Sequence, residues 1–131
     1  MYTFYTSGDE EMAEQRQPLA RVELLQGTLD LIILQTLRWG PRHGYGLAQI
    51  IRATSEDALQ VDTGSLYPAL HRLARKGWIE AEWAKSEKGQ RVREYQLTDD
   101  GREQLLAERT RWEQLSQAMT RILAPPQESG A

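Results

Sequence analysis

The sequence predicts a mainly α domain carrying a small β hairpin and ending in one long helix, and three patterns predict it. Leu66, Leu70 and Leu73 recur at i, i+4 and i+7 with polar residues between them, the mark of a helix that buries one face. Ile79, Ala81 and Trp83 alternate with Glu80 and Glu82, and Arg93, Tyr95 and Leu97 alternate with Val92, Glu94 and Gln96, as two half-buried strands do. Beyond Thr98 the residues Leu105, Trp112, Leu115, Met119 and Ile122 form one helical seam, which Glu108 interrupts.

The elements follow in order. From Thr28 to Trp39, Leu29, Ile32, Ile33 and Leu37 recur at helical spacing and Gly40-Pro41 stops the run. The turn Gly44-Tyr45-Gly46 opens a second short helix through Leu47, Ile50 and Ile51, ending near Ser55. His43 is read as capping or padding this turn. Residues 56–61 connect to the third helix, with Leu59 and Val61 able to form a brief strand. That helix starts within Asp62 to Ser65, where Asp62, Thr63 and Ser65 each carry an N-capping oxygen, and stops at Gly77. Proline is comfortable only in a first turn, so Pro68 requires either a start near Ser65 or a distorted opening. The polar run Lys85 to Gln90 reads as the hairpin loop. Thr98 caps the last helix, with Asp99 and Asp100 at its N-terminal dipole, and Pro125-Pro126 ends it. Trp39, Trp78 and Trp83 are placed in the core or at its edge.

This gives an acidic N-terminal extension over 1–23, a helix, helix, helix, hairpin unit over 24–99, a terminal helix over 100–124, and a disordered tail over 125–131. The extension is polar, without sustained period, and mobile at its tip. Tyr2, Phe4 and Tyr5 leave open that it packs on a partner subunit instead.

Composition narrows the function. The chain has 131 residues, of which 40% are hydrophobic and 27% charged, so there is room for one core. A domain this small gains from a partner subunit. It contains no Cys, which excludes disulfides and Cys-based zinc or redox motifs and fits a reducing, cytoplasmic setting. The start lacks the basic and apolar regions of a signal peptide, and the apolar run Leu29 to Leu37 is too short and too interrupted to span a bilayer. Only two histidines are present, and there is no nucleotide loop or metalloprotease motif, so neither catalysis nor a metal or other cofactor is expected.

The formal net charge of -3 argues at first against nucleic acid. Its distribution removes the objection: Asp9, Glu10, Glu11, Glu14 and Glu23 against Arg16 and Arg21 account for all of it. The remainder is near neutral with clustered positive charge, and DNA binding needs only a local basic footprint.

Helix, helix, helix, hairpin and long helix is the order of a winged helix-turn-helix with an appended dimerisation helix. The first two helices would bury the apolar face of the third, freeing its polar face for a DNA major groove. On that face Thr63 and Ser65 are placed to donate to phosphates or bases, with Tyr67 at the flank. Pro68, His71, Arg72 and Arg75 share it. An Arg on guanine would contribute on the order of 1 to 3 kcal/mol of discrimination, whereas a phosphate contact would add affinity without specificity. Lys85, Lys88, Arg91 and Arg93 put positive charge at the hairpin tip, suited to phosphates or a minor groove. Tyr45 either bonds a phosphate at the start of the second helix or packs on the first. Trp112 either packs in a dimer or walls a pocket between subunits for a small aromatic effector.

The runs Leu25-Gln26-Gly27-Thr28-Leu29-Asp30, Gly44-Tyr45-Gly46, Gly64 to Leu73, Gly77-Trp78-Ile79 and Tyr95 to Gly101 together resemble the PadR family of bacterial transcriptional regulators, in its smaller subgroup with a single C-terminal helix. The resemblance covers residues 24–123. It implies a homodimer joined by the C-terminal helices, with the seam Leu105, Trp112, Leu115, Met119 and Ile122 as the expected dimer interface, two reading helices on a near-palindromic double-stranded DNA operator, and repression commonly relieved by a small molecule. The acidic extension and net charge depart from the family's minimal pattern. Two other readings remain: a winged helix that meets another protein, and a sensor whose output is set mainly by a small molecule.

Overall fold

The structure, a computed structural model, describes residues 26–124 and residue 126. The extension expected over 1–23 and, Pro126 apart, the tail over 125–131 lie outside the described residues. The elements are α1 (Gln26–Arg38), β1 (Arg42–His43), α2 (Gly44–Thr54), α3 (Thr63–Arg75), β2 (Ile79–Lys85), β3 (Arg91–Leu97) and α4 (Asp99–Leu123). This is a winged helix-turn-helix followed by a long helix.

The helix ends are set by local chemistry. His43 caps α2, its Nδ1 accepting from the Gly46 amide at 3.1 Å. Asp62 caps α3, its Oδ1 accepting from the Ser65 amide at 2.9 Å. Thr98 caps α4, its Oγ1 accepting from the Gly101 amide at 3.0 Å and donating to the Gly77 carbonyl at 2.6 Å. Because Asp62 does the capping, α3 begins at Thr63 and runs through Pro68, which lies inside the helix. Pro68 cannot bond the Gly64 carbonyl four residues back, and both residues are exposed, so water can satisfy that oxygen. Gly77, at φ 79°, takes the left-handed turn that ends the helix without the strain a Cβ would bring.

The sheet has order β1-β3-β2, antiparallel throughout. Strand β1 was not foreseen, since two residues, Arg42 and His43, are too few for alternation to register. It pairs Arg42 with Tyr95 and His43 with Glu94. The hairpin pairs Ile79 with Leu97, Ala81 with Tyr95, Trp83 with Arg93 and Lys85 with Arg91. Paired residues share a face, so near the body this face supplies Ile79, Tyr95 and Leu97 to the core. Ile33, Leu34, Leu47, Leu66, Leu70 and Leu73 complete that core from α1, α2 and α3. At about 1.5–3 kcal/mol for each large apolar side chain taken from water, this packing fixes how α3 is presented.

Candidate nucleic-acid interface

Helix α3 divides as its spacing requires. Leu66, Ala69, Leu70 and Leu73 are buried against the body, and Thr63, Gly64, Tyr67, Pro68, His71 and Arg75 are exposed. With Asp62 as the cap, the hydroxyls of Thr63 and Ser65 are not consumed in ending the helix. Outer positions 64, 68, 71 and 75 follow the i, i+4, i+7, i+11 rule, so they form one strip about three turns long.

Arg72 does not belong to that strip. Its Nη2 donates to Oδ1 of Asp30 on α1, and both side chains are largely withdrawn from solvent. On the helical wheel Arg72 sits on the flank between the buried and outer faces, and its long stem turns inward to the buried Asp30 carboxylate of α1. Burial holds the Asp30 carboxyl above the ordinary carboxylate value; Arg72 and Lys76 pull the other way and Glu108 adds to the rise. Glu108 is itself half-buried, accepting from Gln104 Nε2 at 2.8 Å and from Arg111 Nη1 at 3.1 Å. The reading expected of Arg72 is thus replaced by a structural one: it ties α3 to α1.

A signal for this was present in the sequence. Asp30, Ile33, Leu34 and Leu37 stand at i, i+3, i+4 and i+7, so Asp30 occupies a buried stripe, where a charge needs a partner.

Tyr45 is 66% exposed, which excludes packing on α1 as its role. Tyr67 lies over Gly44, the first residue of α2, closely enough that any Cβ there would collide with its ring and hydroxyl. Two tyrosines therefore flank the α2 N-terminus, where backbone amides favour an anion.

The wing carries Lys85, Lys88, Arg91 and Arg93, all exposed. Trp83, expected in the core or at its edge, is 55% exposed. It follows Ile79 and Ala81 on the core-facing side, but by its position the hairpin has passed the end of the body. Trp39, also expected there, is exposed as well. Trp78 is half-buried, with Lys76 Nζ 4.6 Å from its ring centroid.

The seam of α4 splits in two. Leu105, expected at a dimer interface, is 2% exposed and part of this chain's own core, because the first turns of α4 pack on α1 and β3. Trp112, Leu115, Met119 and Ile122 lie farther along the helix, and all are exposed. Trp112 also borders a groove of about 580 Å³ within one chain, lined by Leu31, Ile32, Trp39, Ile51, Leu59 and Arg109 among others. Among the described residues no cluster of His, Asp or Glu is arranged to hold a metal ion, and no helix is long and apolar enough to cross a membrane.

Comparison with known proteins fits this geometry. The chain is 30% identical over 84 residues to an uncharacterised protein from Lysinibacillus sphaericus, a match spanning 64% of this chain and 77% of that one. A PadR-like transcriptional regulator from Bacillus cereus superposes with a TM-score of 0.69 at 28% identity, covering 79% of this chain and 99% of that one. A transcriptional regulator from Clostridium thermocellum gives a TM-score of 0.69 at 25% identity over 76% and 96% of the two chains. The profile of the transcriptional regulator PadR-like family matches residues 33–107, more than half the chain. With helix α3, the wing and the terminal helix in place, this chain belongs to the PadR-like family of transcriptional regulators, a family of DNA-binding regulators.

Proposed function

We propose that the chain is a dimeric, sequence-specific repressor, with α3 entering the major groove and the wing following the adjacent phosphates. The observation that carries this reading is the exposed strip Gly64, Pro68, His71 and Arg75 on a helix whose opposite face is fully buried. Thr63, Ser65 and Tyr67 border the strip. His71 and Arg75 are its base-edge readers, while Tyr45, Lys85, Lys88, Arg91 and Arg93 serve phosphates, which position the protein without reading sequence. Arg72 acts indirectly, by fixing the angle of α3.

The exposed apolar face from Trp112 to Ile122 supports a homodimer joined through α4, and two copies of α3 would then meet a near-palindromic operator. The groove beside Trp39 and Trp112 supports control by a small aromatic effector: two indole rings offer stacking surfaces and Arg109 a cation. Quenching of tryptophan fluorescence by such compounds, lost in Trp112→Ala, tests that part.

Footprinting on the DNA upstream of the chain's own gene tests the main claim. Protection of an inverted repeat is the expected result, and Arg75→Ala is expected to relax specificity within it. Absence of protection there and on neighbouring promoters would refute the operator reading.

A further inference from the structure

The hairpin has two unlike faces. Pairing places Trp83, Lys85, Arg91 and Arg93 together on one side of the tip, and Glu82 opposite Glu94 on the other. The first side therefore holds an aromatic ring and three cations with no carboxylate, and nearer the body it is the side that enters the core. The guanidinium carbon of Arg91 lies 4.2 Å from the Trp83 ring centroid and that of Arg93 lies 5.5 Å from it. Both fall within the range at which a cation is drawn to the ring.

We infer that Trp83 is a positioning residue that holds Arg91 and Arg93 together as a preformed guanidinium pair for the DNA backbone. The inference rests on the DNA-binding reading and adds to it a residue outside the basic set. An exposed indole at the tip has no core to fill, and it is not charged. Its contribution is to restrict two long side chains that would otherwise lose rotamer freedom when they meet phosphate. An aromatic ring leaves the guanidinium N–H groups free to donate, whereas a carboxylate at position 83 would occupy them and cancel their charge. The acidic opposite face fixes which side of the wing turns to the DNA.

The test uses the full chain, titrated over a range of salt against the duplex from upstream of its own gene and against a duplex of unrelated sequence. Trp83→Leu is expected to bind both about five- to tenfold more weakly with the native salt slope, since no charge is removed. Trp83→Phe, which keeps an aromatic face, is expected to stay within about twofold of the native protein. Arg91→Ala and Arg93→Ala are each expected to lower the slope by about one. Native affinity of Trp83→Leu for both duplexes would overturn the proposal, as would Trp83→Phe failing as badly as Trp83→Leu. Native slopes in both arginine variants would refute the wing's contact with DNA and the proposal with it. A readout without DNA separates the two. In the chain labelled with fluorotryptophan, the Trp83 fluorine resonance, identified by its loss in Trp83→Phe, is expected to move more in Arg91→Ala than in Arg93→Ala. A resonance unmoved in both would dissolve the stack itself, whatever the DNA results.

Discussion

Arg72 of α3 is ion-paired with Asp30 of α1, so the helix proposed to enter the groove is anchored through one of its own basic residues. Removing either partner leaves the other charge partly buried and uncompensated. Arg72→Ala is expected to lower stability by about 2–3 kcal/mol, somewhat less than for a fully buried pair because the guanidinium keeps some contact with water. The double variant Asp30→Ala with Arg72→Ala is expected to lose less than the sum of the single losses, which urea unfolding of all four proteins would measure. Strict additivity would show that the pair contributes nothing as a pair.

The same carboxyl makes stability depend on pH in a defined direction. Burial holds Asp30 above the ordinary aspartate value when folded, so between the ordinary and the raised value the native state binds the proton and the unfolded chain does not. Stability from this group is therefore greatest below the ordinary value and falls as pH rises through that window. The stability of the native protein minus that of Asp30→Asn, followed by urea unfolding across mildly acidic pH, is expected to fall as pH rises, because the protonated carboxyl resembles the amide and must then ionise in a buried site. A rise in that signed value would mean that Arg72 outweighs burial.

Arg72 is the residue of α3 whose place differs most from the one its spacing implies. Helical spacing foretold α3 well, because Leu66, Leu70 and Leu73 report directly on burial. It could not distinguish Arg72 from Arg75, since both lie off the apolar stripe, and only the position of Asp30 on another helix decides which one turns inward. Trp83 was misplaced for a related reason. Alternation tells which face a strand residue occupies but not where along the strand the body ends. The caps are more legible, because a cap is a contact across three residues of local chain: the sequence singles out Thr98, leaves His43 either capping or padding its turn, and offers Asp62 as one of three candidates with Thr63 and Ser65. Arg72, Trp83, Leu105 and Trp112 all depend on contacts or limits that span elements.

The junction between wing and α4 predicts an intolerance at a single glycine. A Cβ on Gly101 would fall on the Trp78 carbonyl oxygen, a backbone atom that cannot swing aside. That carbonyl already accepts from the Thr98 amide at 3.1 Å. Gly101→Ala is expected to cost about 2–3 kcal/mol, the upper part of the range for overpacking, although alanine is the better helix former. Thr98→Ala, which removes the cap, is expected to cost about 1 kcal/mol. Thermal unfolding of the two variants should rank them in that order, and the reverse order would mean that the strand-to-helix turn yields more easily than its contacts imply.

Leu105 and Leu115 share one seam of α4 yet should fail in different ways, because one is buried within the chain and the other is exposed. Truncating Leu105 opens a cavity among residues of α1 and the hairpin, so Leu105→Ala is expected to lower unfolding stability by about 2–5 kcal/mol. Leu115→Glu puts a charge on the exposed face beside Trp112 and Met119, where it touches no core. Its helix content by circular dichroism is expected to remain native, while sedimentation shifts from dimer to monomer, since a charge buried unpaired at an interface costs several kcal/mol. Operator affinity should fall with it, because a monomer offers one reading helix to two half-sites. Leu115→Glu that stays dimeric would place the interface elsewhere and remove the stated basis for a two-fold operator.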